Sequence, residues 1–434
     1  MKKLPHWLVR VVTACVVGGL AQVTMPAAES AAARPKQDAH GNPIRYAATG
    51  HASNYDEAKV GSYTLPDPLV LANGEPVKDA DTWTKVRRPE LIGLYEREIF
   101  GCVPARVPPV RAEVVATETG ALGGQAVRRH VVLHFGEGER AVALNVSLYL
   151  PAAARGPVPV VLQLLFSHPP GLTPPATVRA TFDDAVPVAE IVGHGYAYAA
   201  FRYTEAQADA AKTSEGGVQA LALGAGQTRP AAGEWGTIAT WAWITSRVLD
   251  YLETERAVDA TRVALVGHSR LGKTVLWAGA RDPRFAVVFA SCAGEMGSSL
   301  ARRDYGESLD DVAANFPWWC VATFPKFAGH WNDLPVDTHL VIALNAPRPV
   351  FVTGGTQDQW ADPHGEFLAL VAAGPVYRLL GRPDVGATTL PPLDTPLITG
   401  SLGFHYHTGG HAITASDWQA FFAFAGRHLK VTER

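Results

Sequence analysis

The segment Val263-Ala264-Leu265-Val266-Gly267-His268-Ser269-Arg270-Leu271-Gly272-Lys273 constrains the chain more than any other. An apolar, β-branched run stops at Gly-x-Ser and passes at once into a helical pattern over Arg270 to Ala280. A serine on so abrupt a strand-to-helix turn projects its hydroxyl above the end of a sheet. The helix start beneath it favours negative charge, and the following backbone N–H can donate to an oxyanion. The pattern departs from G-x-S-x-G, because the second glycine falls one place late, at Gly272. Ser269 is the candidate nucleophile, and the competing reading is a helix N-cap.

The surrounding pattern fits a sheet that can carry such a turn. Val110 to Thr117, Val127 to Phe135 and Ala141 to Leu150 read as strands, and the second roughly alternates, as an antiparallel region does. Val158 to Phe166 is nearly continuous apolar sequence, as in a strand covered on both faces. Gly195 to Phe201, Val263 to Val266, Val287 to Ala290 and Val350 to Thr353 read as further strands. Helical spacing marks Glu90 to Phe100, Trp235 to Glu253 and Trp418 to His428. Alternating strands and helices predict an α/β fold with a mainly parallel central sheet, helices on both faces and antiparallel strands at the N-terminal end. This is the α/β-hydrolase architecture. For 434 residues one large domain over 33–434 is then expected. Residues 34–60 read as an irregular surface arm, and the Ala-, Gly- and Gln-rich stretch 206–230 as a surface insertion.

Residues 1–32 carry Lys2, Lys3 and Arg10, a short uncharged run to Met25, and an alanine-rich end. These features predict a secretory signal peptide and a secreted or periplasmic protein. The apolar run is shorter than the ~20 residues of a spanning helix, so no membrane span is expected. Charged residues are 18% of the chain and the net charge is -3. Nucleic acid is therefore not an expected partner. Cys102, Cys292 and Cys320 allow at most one disulfide, with Cys292 and Cys320 the candidate pair.

A serine nucleophile needs a base, and the base an orienting acid. On this scaffold they follow in the order Ser, Asp or Glu, His. Asp358, in the loop after the strand Pro349 to Thr353, is the candidate acid. Asp362 is second, its competing role being a turn or helix cap before Pro363. His411, after Gly409-Gly410 and before the last helix, is the candidate base. His405 and His407 would share one face of a strand. With no carboxylate at ligand spacing beside them, no metal is expected. His268 reads as a packed neighbour of the turn.

Together these residues resemble the glucuronoyl esterases, carbohydrate esterase family 15, in a bacterial form. The match rests on Ser269-Arg270-Leu271-Gly272-Lys273, Gly306-Glu307-Ser308, Asn315-Phe316-Pro317-Trp318-Trp319 and Leu334-Pro335-Val336-Asp337-Thr338-His339. It extends through Ala346-Pro347-Arg348-Pro349, Asp358-Gln359-Trp360-Ala361-Asp362-Pro363 and Gly409-Gly410-His411. The resemblance implies hydrolysis of 4-O-methyl-glucuronic acid esters on glucuronoxylan, at links to lignin. It also implies Arg270 as oxyanion stabiliser, Lys273 and Glu307 on the sugar hydroxyls, and Trp360 closing over the sugar. Fungal members carry the acid as a Glu just after the strand that follows the nucleophile turn. Here that place reads Ser291-Cys292-Ala293, and the nearest acid is Glu295. The acid is therefore expected from the later loop, at Asp358.

Independently of the family, a tryptophan suits the apolar face of a sugar, and Lys with Glu suits its hydroxyls. The competing roles are an ion pair for Lys273 with Glu307, a helix-start salt bridge for Arg270, core packing for Trp318 and Trp319, and a mutual hydrogen bond for Asp337 and His339. No cofactor is required, and a monomer is expected. The alternatives are an acetyl-xylan or other carbohydrate esterase on the same fold, and a non-catalytic polysaccharide-binding protein.

Overall fold

The computed structural model describes residues 35–173, 184–211 and 216–431. The expected signal peptide lies outside the described residues. Among the described residues nine strands form one sheet in the order β1-β2-β3-β5-β4-β6-β7-β8-β9. β1 (Val110–Ala121), β2 (Ala126–Phe135) and β3 (Val142–Pro151) are antiparallel, and β3 joins β5 (Ala197–Arg202) antiparallel as well. From β5 onward, β4 (Val158–Leu165), β6 (Val258–His268), β7 (Phe285–Ser291), β8 (Val350–Gly355) and β9 (Leu402–His407) all run parallel. The fold class is the expected one.

The continuous apolar runs are explained by burial on both faces. In β6, Val263 and Leu265 enter the larger core, which packs helices Thr237–Thr254, Arg270–Arg281, Thr338–Ala343 and Pro363–Leu379. Ala264 and Val266 enter a second core on the opposite face, built with helices Val188–Gly193 and Ala415–Leu429. Successive strand side chains point to opposite faces, so both sets must be apolar. Among the described residues no helix is long and apolar enough to cross a membrane.

Two expectations change. The described residues of the 206–230 stretch do not form a plain surface insertion. Gln207 and Gln219 are buried: Gln219 N–H donates to Gln207 Oε1 at 2.8 Å, and its side chain to Thr240 Oγ1 at 2.9 Å. Trp241 Nε1 donates to the Gln207 carbonyl at 2.9 Å. A polar, alanine-rich composition hid this, because the buried glutamines are satisfied by each other and by the neighbouring helix. The arm is irregular as expected, yet it is docked. His51 meets Asp304 at 2.9 Å, and the Asn54 side chain donates to the Asp304 carbonyl at 2.6 Å.

Candidate active site

Parallel strands deliver the site to one end of the sheet. β6 ends at His268, β8 at Gly355 and β9 at His407, and their outgoing loops carry Ser269, Asp358 and His411. Ligands of open α/β sheets bind beyond these carboxyl ends.

Ser269 has φ 57° and ψ -129°, a conformation costly for a residue with a Cβ. It makes no cap hydrogen bond to the helix, so the N-cap reading of its side chain fails. Its N–H donates to the Ser291 carbonyl at 2.8 Å, tying the turn to β7. A Cβ on Gly267 would stand 2.2 Å from the Leu271 carbonyl oxygen, and one on Gly272 2.7 Å from Ala293 Cβ. The late second glycine thus lets the helix approach the chain after β7.

His411 Nδ1 lies 2.6 Å from Asp358 Oδ2. The carboxylate is buried, while 39% of the His411 side chain is exposed. Ser269, Arg270, Lys273, Glu307, Asp358, Trp360 and His411 all line one cavity of about 330 Å³. A second cavity of about 410 Å³ is also lined by Ser269 and His411, with Phe166, Tyr203 and His268 in its wall. The His268 ring packs 4.4 Å from that of His411, and burial holds its pKa well below the ordinary histidine value. It is the packed neighbour expected.

The other acids divide by role. Asp362 caps helix Pro363–Leu379 through Gly365 N–H at 2.9 Å and pairs with Arg303 at 2.9 Å. This is its competing role, and burial raises its pKa to about 6. Glu295 is buried and its pKa is pushed well up, first by burial and then by Asp337. Glu366 is buried beneath the Asp358 loop, and burial raises its pKa to about 8.

Lys273 Nζ is buried against Glu307 Oε2 at 3.0 Å and the Ala293 carbonyl at 2.7 Å. The ion pair and the cavity lining therefore coexist. Arg270 makes its salt bridge too, Nη1 lying 2.6 Å from Asp209 Oδ2, and its guanidinium stacks 4.9 Å from the Trp319 ring.

Asp209 was missed by sequence reasoning. It collects the Arg270 guanidinium, Tyr203 O–H at 2.9 Å, and the indole N–H groups of Trp318 and Trp319 at 2.7 and 2.8 Å. Core packing is therefore an incomplete account of the two tryptophans. Arg45 of the arm was missed as well: its guanidinium sits 4.1 Å from the Trp360 ring and lines the first cavity. Neither residue lies in a motif, and both arrive from a loop far away in sequence.

Three further expectations are corrected. Asp337 and His339 share no hydrogen bond: Asp337 accepts from Ala301 N–H at 2.9 Å, and His339 Nε2 meets the Pro66 carbonyl at 2.9 Å. The three described cysteines are free. Cys292 lies in the cavity wall, and the Cys320 sulfur packs against that of Met296. His405 and His407 do have a carboxylate beside them, Asp417, delivered by the last helix. The three offer ligand atoms within 4.8 Å of one another, as do Cys292, Asp358 and His411. Hydrogen bonds already occupy the Nδ1 atoms of both histidines and both Asp417 oxygens.

Comparison with known proteins places the chain among relatives of one family. A model of the family described as glucuronyl esterase, fungi, matches residues 133–381. A carbohydrate esterase from an unknown prokaryotic organism is 38% identical, over 87% of this chain and 92% of its own length. A 4-O-methyl-glucuronoyl methylesterase of Schizophyllum commune is 26% identical, over 75% of this chain and 77% of its own. Among solved structures, a glucuronoyl esterase from Solibacter usitatus superposes with a TM-score of 0.81 at 40% identity, covering 86% of this chain and 100% of that one. A nine-stranded sheet with this serine turn, matched over most of its length by such relatives, leaves one assignment: the chain belongs to the glucuronyl esterase family.

Proposed function

We propose that the protein is a serine esterase that hydrolyses esters of (4-O-methyl-)glucuronic acid on glucuronoxylan through an acyl-enzyme. The observation that carries the reading is the 2.6 Å contact of Asp358 with His411 Nδ1, at a cavity that also holds Ser269. The contact fixes the tautomer in which Nδ1 carries the proton and Nε2 is the base. Ser269 Oγ attacks the ester carbonyl carbon and Nε2 takes its proton. Arg270 and the backbone N–H at the start of its helix receive the charge growing on the carbonyl oxygen. Collapse expels the alcohol, which leaves with the proton from Nε2. Water, activated by the same nitrogen, then releases the uronic acid and restores Ser269.

The cavity suits such a substrate. The reacting ester is uncharged, so Glu307, held in place by Lys273, can accept from sugar hydroxyls, while Lys273 donates its three N–H groups to Glu307 and the Ala293 and Glu295 carbonyls. Trp360 offers an apolar face at the same wall. The relatives named as glucuronoyl esterases support the substrate class. Residues 1–32 serve in this reading as an export leader, as the location of the polymer requires. The test is release of alcohol from benzyl glucuronate. Wild type should turn it over, and Ser269→Ala should fall to the uncatalysed rate. Equal rates for both would overturn the proposal.

A further inference from the structure

Asp417 binds the loop of His411 at both of its ends. Its Oδ2 accepts from Thr414 N–H at 2.7 Å and Thr414 Oγ1 at 2.8 Å, just after the loop. Its Oδ1 meets His407 Nδ1 at 3.1 Å, just before the loop, and His405 Nδ1 at 2.7 Å. His407 reaches on into the loop itself, with Nε2 3.3 Å from the Gly410 carbonyl. The side chains of His407 and Asp417 are fully buried.

Both ring nitrogens of His407 therefore face oxygens that only accept. A neutral imidazole has one N–H and would leave a lone pair against a lone pair, whereas an imidazolium satisfies both contacts. A buried cation is tolerated where a carboxylate pairs with it and its protons are all bonded. Asp417 is such a partner: although burial opposes it, its bonds to the two histidines hold its pKa down, at about 2. We propose that His407 is a doubly protonated positioning residue, clamped between Asp417 and the Gly410 carbonyl, that holds the His411 loop in register with Asp358. The inference rests on His411 being the base.

The rest of the loop is arranged to transmit that hold. Thr356 N–H donates to the His407 carbonyl at 3.0 Å, and Gln357 N–H to the Gly409 carbonyl at 2.7 Å. The loop of the acid and the loop of the base are thus joined ahead of their contact at Asp358 and His411. Asp394 adds a grip on Thr408 N–H at 2.8 Å.

The charged and titratable groups facing His407 are Asp417 from the last helix, His405 from its own strand, Asp394 from the preceding loop, and His268 at the end of β6. Burial opposes the His407 charge, but the bond to Asp417 outweighs it and its pKa lies above the ordinary value. A raised histidine pKa means that the clamp is complete below the ordinary histidine value. It is lost as pH rises through the raised value.

The test is nitrogen NMR of the full chain labelled at histidine, with His407→Gln to assign the signal. At pH 7 both His407 nitrogens should carry protons, and one should titrate only above the ordinary histidine value. A neutral tautomer at pH 7 would overturn the proposal, and the wild-type protein alone decides this. In ester hydrolysis, His407→Gln should lower kcat by roughly 10–10²-fold, the cost of a misplaced group, with KM within about twofold. Its kcat should also lack the decline with rising pH that is expected of wild type as His407 gives up its second proton. An unchanged kcat, or a lower kcat with the wild-type pH profile, would overturn it. The ring-nitrogen measurement needs no turnover. Absence of esterase activity in wild type would strike the functional reading and leave this measurement intact.

Discussion

The turn of Ser269 and the loop of His411 are held in opposite ways. The turn is set by close backbone approach: Gly267 fits against its own helix at Leu271, Gly272 lets that helix meet Ala293 just beyond β7, and the strain sits at one φ of 57° at Ser269. The base loop has little local structure. It is fixed by Asp358, 53 residues earlier, by the 355–357 backbone, and by Asp417 on the next helix. Sterics thus set Ser269, and a distributed set of hydrogen bonds sets His411. Damage to the turn should register first as lost stability, and damage to the loop as lost rate.

The largest effects fall where the two regions meet the substrate. Asp358→Asn keeps the shape but favours the wrong His411 tautomer, so kcat should fall by about 10⁴ with the melting temperature little changed. Steady-state kinetics and thermal melting check both halves of that statement. Gly355→Ala would set a Cβ 2.5 Å from the Gly410 carbonyl and 2.8 Å from His407 Nε2, pushing the base loop away. The expected loss in kcat is about 10²-fold, since displacements near 1 Å cost that much.

Asp209→Ala frees Arg270 and both indole N–H groups at once. Loss of one oxyanion donor costs about 10²–10³ in kcat, which bounds this indirect change from above. A wild-type kcat for that variant would show that Arg270 holds its place unaided. Gly267→Ala tests the turn: its Cβ meets backbone, so chemical denaturation should show a loss of at least about 1–3 kcal/mol. A stable but slow Gly267→Ala would reverse the contrast between the two regions.

The smallest effect is a pH dependence beneath the acid loop. Glu366 has a folded pKa of about 8, raised by burial. The folded state therefore keeps a proton that the unfolded chain gives up near pH ~4.3. Its contribution is complete below that unfolded value and is lost as pH rises through about 8. Melting curves from pH 6 to 9 should show wild type losing stability and Glu366→Gln losing less.

What the sequence revealed follows the same division. The serine turn, the strands on either side of it and the order Ser269, Asp358, His411 were legible, because strand and helix periods and turn chemistry are local signals. Lys273, Glu307 and Trp360 were legible through the family motifs. Asp209, Arg45 and Asp417 were not. Asp209 and Arg45 come from segments with no local pattern, and Asp417, although it caps the helix that the spacing marks, reaches His405 and His407 only through the tertiary path. The HxH pair shows the limit most clearly: spacing put both rings on one face, but the carboxylate that binds them arrives on a different element.

The central claim is that Ser269 is made nucleophilic by this arrangement. Treatment of the full chain with a fluorophosphonate, followed by peptide mass mapping, tests it directly. The account requires one adduct, on Ser269, in wild type and strongly slowed labelling in His411→Ala. An unlabelled wild type, an adduct on another residue, or equal labelling of both proteins would contradict it.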